Sequence, residues 1–576
     1  MTARGPRTGR LAAAFLAAVT LSSCAVTDPA VKLPDVPARA TVSGDYLKAL
    51  HAYRNSDLAA AAQSFGAVLA ADPGNPGLTQ RTFLARISDG RTADTLEMAA
   101  DLVERQDGYA FGRLVLALAA IRKEDYAAAR TQLEALEESR LTQILRPLLL
   151  AWVEAGSGNW TATGKHLDAI RRQGGFALLA DLHGGYIASL KGDFEALDKS
   201  FRSALSALDR PPARLRIGAA LHYARAGHVT AAREILAGGD LTDQNRDALD
   251  AALAAAKAGG PAKGLVSSAT DGVAEALFDI ASALQRDRGS EIALIYAQLA
   301  LYMRPDFPLA RLLVGEILDD RNRHSDALAI YQEIGRDSIY HIMAGLRAAA
   351  AMDAEGNREG ALSVLRELAR TYPDNGTVLV RLADTLRSDE AWVEAIEAYD
   401  AAFEKLGPAA NDDWTLFYTR GIALERAKRW ERAEADFLKA LELSPEQPYV
   451  MNYLGYSWVE QGRNLEEAQS LIERAVRQRP NDGYIVDSLG WVLYRTGQHR
   501  AAVTHLERAV QLRPGDAVIN DHLGDAYWRV GRRLEATYQW RRSLDMDPEP
   551  ALAGEIERKL RDGLVTGDAP ASPGNG

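Results

Sequence analysis

Side chains that could support catalysis or hold a metal ion are scarce and scattered along this chain. The ten histidines fall in helix-compatible contexts, without the cluster of acidic or sulfur ligands that a metal site needs. His499 and His505 are six residues apart, as are His222 and His228, and this spacing places the two members of each pair on different faces of a helix. No glycine-rich phosphate loop follows a strand pattern. The sequence therefore predicts no active site, no metal and no cofactor, and we expect a protein that is not an enzyme.

The single cysteine, Cys24, has surroundings that define its chemistry. Arg4, Arg7 and Arg10 precede a short apolar run, Leu11 to Leu21, which falls short of the roughly 20 residues that span a bilayer. Small residues then lead into the cysteine. This segment resembles the bacterial lipoprotein signal, whose lipobox ends in a cysteine that receives a diacylglycerol chain. The resemblance implies cleavage after residue 23, lipidation of Cys24 and stable anchoring by two or three palmitate-like chains. The alternative is an ordinary signal peptide with a chance cysteine.

The residue after the cysteine and the charge of the chain bear on location and partners. Ala25 stands where the enterobacterial sorting rule places an aspartate in proteins kept at the inner membrane. The resemblance therefore implies an outer-membrane lipoprotein facing the periplasm, although that rule varies between lineages. The formal net charge is −11, and the first 23 residues hold three arginines and no acid, which leaves −14 for the remainder. This acidic balance argues against a nucleic-acid partner.

A repeat of 34 residues organises the C-terminal half of the chain. Glycines, small residues and prolines recur at spacings of 34 or 35 residues, as in Gly421, Gly455, Gly490 and Gly524, in Ala433, Ala468, Ala502 and Ala536, and in Pro445, Pro480, Pro514 and Pro548. Small residues permit the close crossing of two antiparallel helices, and a proline stops the second helix. Similar markers continue upstream at Ala395, Ala361, Ala327 and Ala293. The spacing predicts eight helix pairs between residues 274 and 550.

The pattern resembles the tetratricopeptide repeat, or TPR, over most of the chain. The resemblance implies an all-α fold, a right-handed superhelical TPR solenoid of antiparallel helix pairs, and frequent alanine supports a helical chain. The predicted order is a signal peptide at 1–23, a tether at 24–43, a degenerate TPR-like block at 44–246, a connector at 247–273, the eight-unit array at 274–550, a capping helix at 551–562 and a disordered tail at 563–576.

The N-terminal block shows the repeat less clearly. Small residues recur at multiples of about 34 at Ala61, Ala128, Ala162, Ala196 and Ala231, which predicts about six helix pairs. The stretch Gly259 to Gly272 contains helix breakers. The connector at 247–273 is therefore either a loop that changes the curvature of the solenoid or one longer helical hairpin.

The first helix of each TPR pair lines the concave face of a superhelix, where extended or helical segments bind. Repeat phasing places an aromatic and acidic set of side chains on that face: Tyr418, Asn452, Tyr456, Tyr484, Asp487, Trp491, Tyr494, Asp521, Asp525 and Trp528. Large residues in other phases, such as Leu489 and Trp540, are assigned to the core. Exposed aromatic rings are typical of interaction surfaces. The sequence predicts that this set binds a basic or donor-rich segment of another protein.

The domain order resembles that of proteobacterial TPR lipoproteins that partner a C-terminal processing protease and control cell-wall hydrolases. The most similar stretches run from Asp487 to Trp491 and from Asp521 to Trp528. The resemblance implies a lipid-anchored adaptor that presents clients to a protease in the envelope. The alternative is a structural assembly or pilot lipoprotein of a secretin, pilus or polysaccharide exporter. An enzyme that acts on the cell wall has no residues to carry its chemistry.

Overall fold

The computed structural model of the chain describes residues 41–105, 109–237, 246–258, 266–286, 290–407, 410 and 412–564. Within these ranges there are thirty α-helices, one short 3₁₀ turn at Thr92–Thr95 and no strand. The predicted all-α solenoid of antiparallel helix pairs is confirmed. The predicted signal peptide and most of the tether and tail lie outside the described residues.

The N-terminal half contains fifteen helices. They are α1 (Val42–Arg54), α2 (Leu58–Ala71), α3 (Pro76–Ser88), α4 (Leu96–Arg105), α5 (Ala110–Arg122), α6 (Tyr126–Glu134), α7 (Thr142–Gly156), α8 (Trp160–Arg171), α9 (Ala177–Lys191), α10 (Phe194–Ser206), α11 (Ala213–Arg225), α12 (Val229–Ala237), α13 (Arg246–Lys257), α14 (Ala269–Arg286) and α15 (Ser290–Met303). The helices from α1 to α12 form six consecutive pairs. Aspartate or asparagine side chains cap many of the helix starts, such as Asp57 before α2.

The C-terminal half continues in the same manner to the last helix. Its helices are α16 (Pro308–Asp319), α17 (His324–Gln332), α18 (His341–Ala354), α19 (Arg358–Thr371), α20 (Gly376–Ser388), α21 (Trp392–Leu406), α22 (Trp414–Arg426), α23 (Trp430–Leu443), α24 (Pro448–Glu460), α25 (Leu465–Gln478), α26 (Gly483–Arg495), α27 (His499–Leu512), α28 (Ala517–Arg529), α29 (Arg533–Leu544) and α30 (Pro550–Asp562). With α14 and α15, they make eight pairs followed by one helix that covers the end of the stack.

Close crossing of the paired helices explains the repeated glycines. In α26, a Cβ on Gly490 would lie 2.5 Å from Cγ of Leu506 on the partner helix α27. Gly421 meets Phe437 and Gly524 meets Trp540 in the same way. Because the large side chain fills the space that a Cβ would need, the glycine and its partner act as one packing unit.

The hairpin α14–α15 lies inside the arc of the preceding helices. Helix α14 contacts α5, α7 and α9, and α15 contacts α3 and α5. The two large hydrophobic clusters of the described residues divide between Ala348 and Ala349, so the hairpin belongs to the N-terminal core. The predicted boundary at 247–273 is therefore not where the core divides. Its first part is the helix α13, which packs on α11.

Buried polar groups fasten this hairpin in place. Trp152 Nε1 donates to Nδ1 of His183 at 3.0 Å, and His183 Nε2 lies 3.1 Å from Asp279 on α14. Arg214 pairs with Asp279 and Glu275, and Glu275 also accepts from Arg304 at 2.7 Å. Burial alone would raise the pKa of Asp279, but Arg214 and the His183 contact lower it to about 2.

The phase predicted for the N-terminal block is wrong by one residue. Ala128 is exposed, and Ala162, Ala196 and Ala231 are only partly buried. The buried crossing residues are their successors, Ala129, Thr163, Leu197 and Ala232, while Ala61 is buried as predicted. Because threonine and leucine occupy two of these crossings, a search for small residues finds the spacing but selects the wrong side of the helix.

Candidate protein-binding groove

Four consecutive first helices, α18, α20, α22 and α24, present partly exposed apolar side chains at equivalent repeat positions. Leu346, Val380 and Tyr418 occupy one position in three successive repeats, and each is half-buried against the C-terminal core. Ile422 and Tyr456 occupy the position one helical turn further along and are also half-buried. We call this row of five residues the middle groove. These five side chains keep some exposed area, whereas Trp491 and Tyr494 of the later repeats are buried.

The predicted site residues Tyr418, Asn452 and Tyr456 belong to or adjoin the middle groove. The ring of Tyr418 stands edge-on to Tyr453 at a centroid distance of 6.1 Å, which fixes its orientation. Burial raises the pKa of Tyr456 well above its ordinary value, so its hydroxyl stays protonated. The amide oxygen of Asn452 has no hydrogen-bond partner among the described residues. Because that oxygen is buried, it is not open to a peptide donor here, and the role of Asn452 stays a prediction.

Larger exposed side chains lie at the starts of first helices. Met343, Tyr449 and Tyr484 are 50%, 41% and 51% exposed, and repeat phasing gives all three the second position of a unit. We call these three residues the rim. Tyr484 was predicted as a site residue, and its exposure agrees with that prediction.

The predicted exposure of Trp491 and Tyr494 is wrong. Trp491 is only 2% exposed, because its ring stacks between Tyr494 at 4.9 Å and His522 at 4.0 Å. Its Nε1 donates to Glu460 at 2.6 Å, and the Tyr494 hydroxyl accepts from Arg529 at 3.3 Å. Both rings therefore hold successive repeats together and are closed to a ligand.

Asp487 is likewise buried and already paired. Its carboxylate lies 3.0 Å from Nδ1 of His522 in the next repeat. Burial opposes the charge of His522, but Asp487 raises its pKa. The pair is an internal ion pair between repeats, so Asp487 is not available to a basic ligand.

Asp521 and Asp525 are buried beneath the last helix, so their predicted exposure is also wrong. Lys559 of α30 is 1% exposed and places Nζ 2.7 Å from Asp521 and 3.0 Å from Asp525. Trp540 Nε1 also donates to Asp525 at 2.9 Å. Burial and the nearby Asp525 raise the pKa of Asp521 to about 7. Burial would lower the pKa of Lys559, but the two aspartates raise it.

Trp528, the last of the predicted groove aromatics, is half-buried at the end of α28. It packs on Trp540 at a centroid distance of 5.2 Å, and the guanidinium of Arg533 lies over its ring at 5.1 Å. A Cβ on Gly563, just after α30, would overlap this ring. Trp528 thus supports the docked last helix.

The middle groove and rim include residues that the sequence prediction missed. Met343, Leu346 and Val380 were not predicted, although the phase rule applied to Tyr418 would have found them one and two repeats earlier. Two arginines that stack on the rim, Arg479 and Arg513, were also missed, because they lie in the loops between repeats. Cys24, the predicted lipidation site, lies outside the described residues.

Among the described residues, no group of three or more His, Cys, Asp or Glu side chains is arranged to hold a metal ion. In the same part of the chain, no helix is long and apolar enough to cross a bilayer.

The helix pairs and their crossing residues define a superhelical TPR solenoid. The tetratricopeptide repeat family model matches residues 346–411, 418–483 and 461–517, which include the middle groove and, of the rim, Tyr449 and Tyr484. The chain is also similar to a TPR repeat-containing protein of Pseudomonas aeruginosa, with 26% identity over 198 residues. That alignment covers 34% of this chain and 33% of the relative, so the two match over only about a third of their lengths.

Comparison with solved structures finds chains of low overall similarity. An APC/C hetero-tetramer structure covers 91% of this chain and 97% of its own, with a TM-score of 0.37 and 13% identity. YrrB, described as a TPR protein with an unusual peptide-binding site, covers 34% of this chain and 97% of its own, with a TM-score of 0.27 and 21% identity. MamA from Desulfovibrio magneticus covers 30% of this chain and 94% of its own, with a TM-score of 0.27 and 20% identity.

Proposed function

We propose that this protein is a lipid-anchored scaffold of the bacterial envelope that binds other proteins through its middle groove and rim. In this proposal Cys24 carries the lipid, the solenoid faces the periplasm, and the captured clients are presented to a C-terminal processing protease. The scaffold contributes binding, and the protease contributes the chemistry.

One observation carries the binding role. Half-buried apolar side chains stand at equivalent positions of four successive first helices, and they include Leu346, Val380 and Tyr418. Repeated, partly exposed apolar positions on the inner face of a solenoid form an extended binding surface. Tyrosine is enriched among the residues that supply most of the binding energy in protein interfaces, and Tyr418 and Tyr456 are the tyrosines of this groove. The TPR repeats matched over this region support the same role.

The experiment compares capture of envelope proteins by two charge-introducing variants. Met343→Glu with Tyr449→Glu changes two exposed side chains on first helices, while Leu438→Glu with Leu534→Glu changes two exposed side chains on second helices. All four positions are open to solvent, so both variants are expected to keep wild-type helicity. After crosslinking in native envelopes, the first variant should recover at least tenfold less of the processing protease and its hydrolase clients.

The matched variant, Leu438→Glu with Leu534→Glu, distinguishes a site on the first helices from a site elsewhere. Loss of capture only in the Leu438 and Leu534 variant would move the site to the second helices, and equal recovery by all proteins would contradict a groove. The Cys24→Ala variant should no longer be found in the membrane fraction, but in solution it should still bind the same proteins. Recovery of a secretin or pilus machine in place of a protease would favour a structural role in assembly.

A further inference from the structure

Two arginines of consecutive repeats line one cavity beside the rim. Arg479 follows α25 and Arg513 follows α27, and both border a cavity of about 400 Å³ that Gln478 and Asn481 also line. Glycine at the start of α26 makes room for this arrangement, since a Cβ on Gly483 would lie 2.5 Å from Cγ of Arg513. The cavity therefore brings together positive groups that belong to different repeats.

Each of these arginines also lies on an exposed tyrosine ring of the rim. The guanidinium of Arg479 is 5.6 Å from the centroid of Tyr449, and that of Arg513 is 4.7 Å from the centroid of Tyr484. A ring holds the flat face of a guanidinium but leaves its N–H groups free to donate. Among the described residues, neither Arg479 nor Arg513 has an acidic group within ion-pair distance.

The acidic residues near this surface are already engaged. Asp482, which lines the cavity, accepts from the backbone N–H groups of Tyr484 and Ile485 and so caps α26. The deeper carboxylate of Asp487 is paired with His522. A ligand that approaches the rim therefore meets tyrosine rings and guanidinium donors, while the partly exposed carboxylate of Asp482 is held by its helix cap and that of Glu446 by Arg474.

We propose that the rim binds an acidic, extended segment of a partner protein. Side-chain carboxylates of the segment accept from Arg479 and Arg513, and its apolar atoms lie against Tyr449 and Tyr484. This reverses the basic ligand expected from the sequence, because the aspartates that suggested it are internal. The inference rests on the proposed binding function and names the chemistry of the partner.

The test uses the full mature chain and two double variants with the same change in net charge. R479E with R513E reverses the rim arginines, and R477E with R500E reverses two other exposed arginines of the same repeats. The probe is a fluorescein-labelled decapeptide of alternating glutamate and alanine, with its lysine counterpart as comparison. The R479E and R513E variant should bind the glutamate peptide at least tenfold more weakly than the wild type does. The affinity of the R477E and R500E control should stay within twofold of that of the wild type.

Other outcomes would overturn the inference. They are no binding of the glutamate peptide to the wild type, tighter binding of the lysine peptide, an equal loss in both double variants, or binding to phosphatidylglycerol vesicles without binding to the peptide. Capture from native envelopes separates this failure from that of the proposed function. If the R479E and R513E variant still recovers every client, the partner is not acidic at this site and the scaffold role stands. If the wild type recovers none, the scaffold role itself fails.

Discussion

At the scale of single residues, Lys559 determines whether the end of the solenoid is stable. Its ammonium group is buried against Asp521 and Asp525 and also lies 3.4 Å from Glu555. Burial and then the neighbouring Asp525 raise the pKa of Asp521 even though it forms an ion pair with Lys559. The helix α30 is therefore held by charge as well as by the buried side chains of Leu552 and Ile556.

Lys559→Met should destabilise the protein strongly. The change leaves two buried carboxylates without their cation, and breaking a buried pair in this way typically costs about 3–5 kcal/mol. Urea unfolding followed by circular dichroism measures the loss. Arg561→Met is the control, because Arg561 lies two residues further along the same helix with a largely exposed side chain. Equal midpoints for the two variants would contradict the role given to Lys559.

At the scale of single residues, the sequence predicted the helix on which each residue lies but not the side chains that surround it. The repeat phase placed Trp491, Asp487 and Asp521 correctly on first helices, and it assigned Leu489 and Trp540 correctly to the core. It could not show that Trp491 and Asp487 meet His522 from the next repeat, or that Asp521 meets Lys559 from a helix treated as a simple cap. Such pairings join residues 31 to 38 positions apart, and their geometry depends on how closely the repeats stack.

At the scale of helices, the crossing of several pairs depends on one glycine and one large side chain. Gly490 allows Leu506 to lie directly against the backbone of α26. Gly490→Leu should therefore destabilise the protein by about 1–3 kcal/mol or more, because overpacking forces the two helices apart. The urea midpoint is again the measurement.

Gly554→Leu is the matched control for this prediction. Gly554 lies on the exposed side of α30, and a Cβ there would meet nothing within 4 Å. Leucine is the better helix former, so this variant should unfold at the wild-type midpoint or above it. A Gly490→Leu protein that does the same would show that the pair can separate without loss.

The helices themselves were predictable where spacing and residue type agree. In the C-terminal array both indicate the same crossings, and the eight pairs are found there. In the N-terminal block the spacing survives, but Thr163 and Leu197 stand at buried crossings where the search expected alanine. The neighbouring residues Ala162 and Ala196 are therefore predicted at the crossings instead. This one-residue error rotates the predicted buried face of each helix by about 100°.

At the scale of the whole molecule, the N-terminal arc closes around the hairpin α14–α15. The contact between His183 and Asp279 spans 96 positions, and that between Arg214 and Glu275 spans 61. No 34-residue period predicts these contacts, because they join the array back onto itself. The N-terminal groove is filled by the chain's own hairpin, which is consistent with the proposal that partners bind at the middle groove and rim.

The two cores should respond differently to acid, because each contains a buried group with a shifted pKa. In the N-terminal core, burial and then Arg225 lower the pKa of His222 to about 3. Its Nε2 accepts from the backbone N–H of Val266, so the folded protein holds the neutral ring. The stability from this group is present above the unfolded pKa of about 6.5 and is lost as the pH falls towards 3. In the C-terminal core, the raised pKa of Asp521 gives stability that is present at low pH and is lost as the pH rises through about 7.

Lowering the pH from 6.5 to 4 should therefore weaken the N-terminal core by about 3 kcal/mol, since each unit is worth about 1.4 kcal/mol. Pulse proteolysis in urea, with fragments identified by mass spectrometry, measures the two cores separately. His222→Phe is the control variant, because Tyr186 and Phe201 already surround the ring and phenylalanine does not titrate. In that variant the acid loss of the N-terminal core should shrink while the response of the C-terminal core is unchanged. An acid response of equal size in the variant and the wild type would assign the effect to other groups of the N-terminal core.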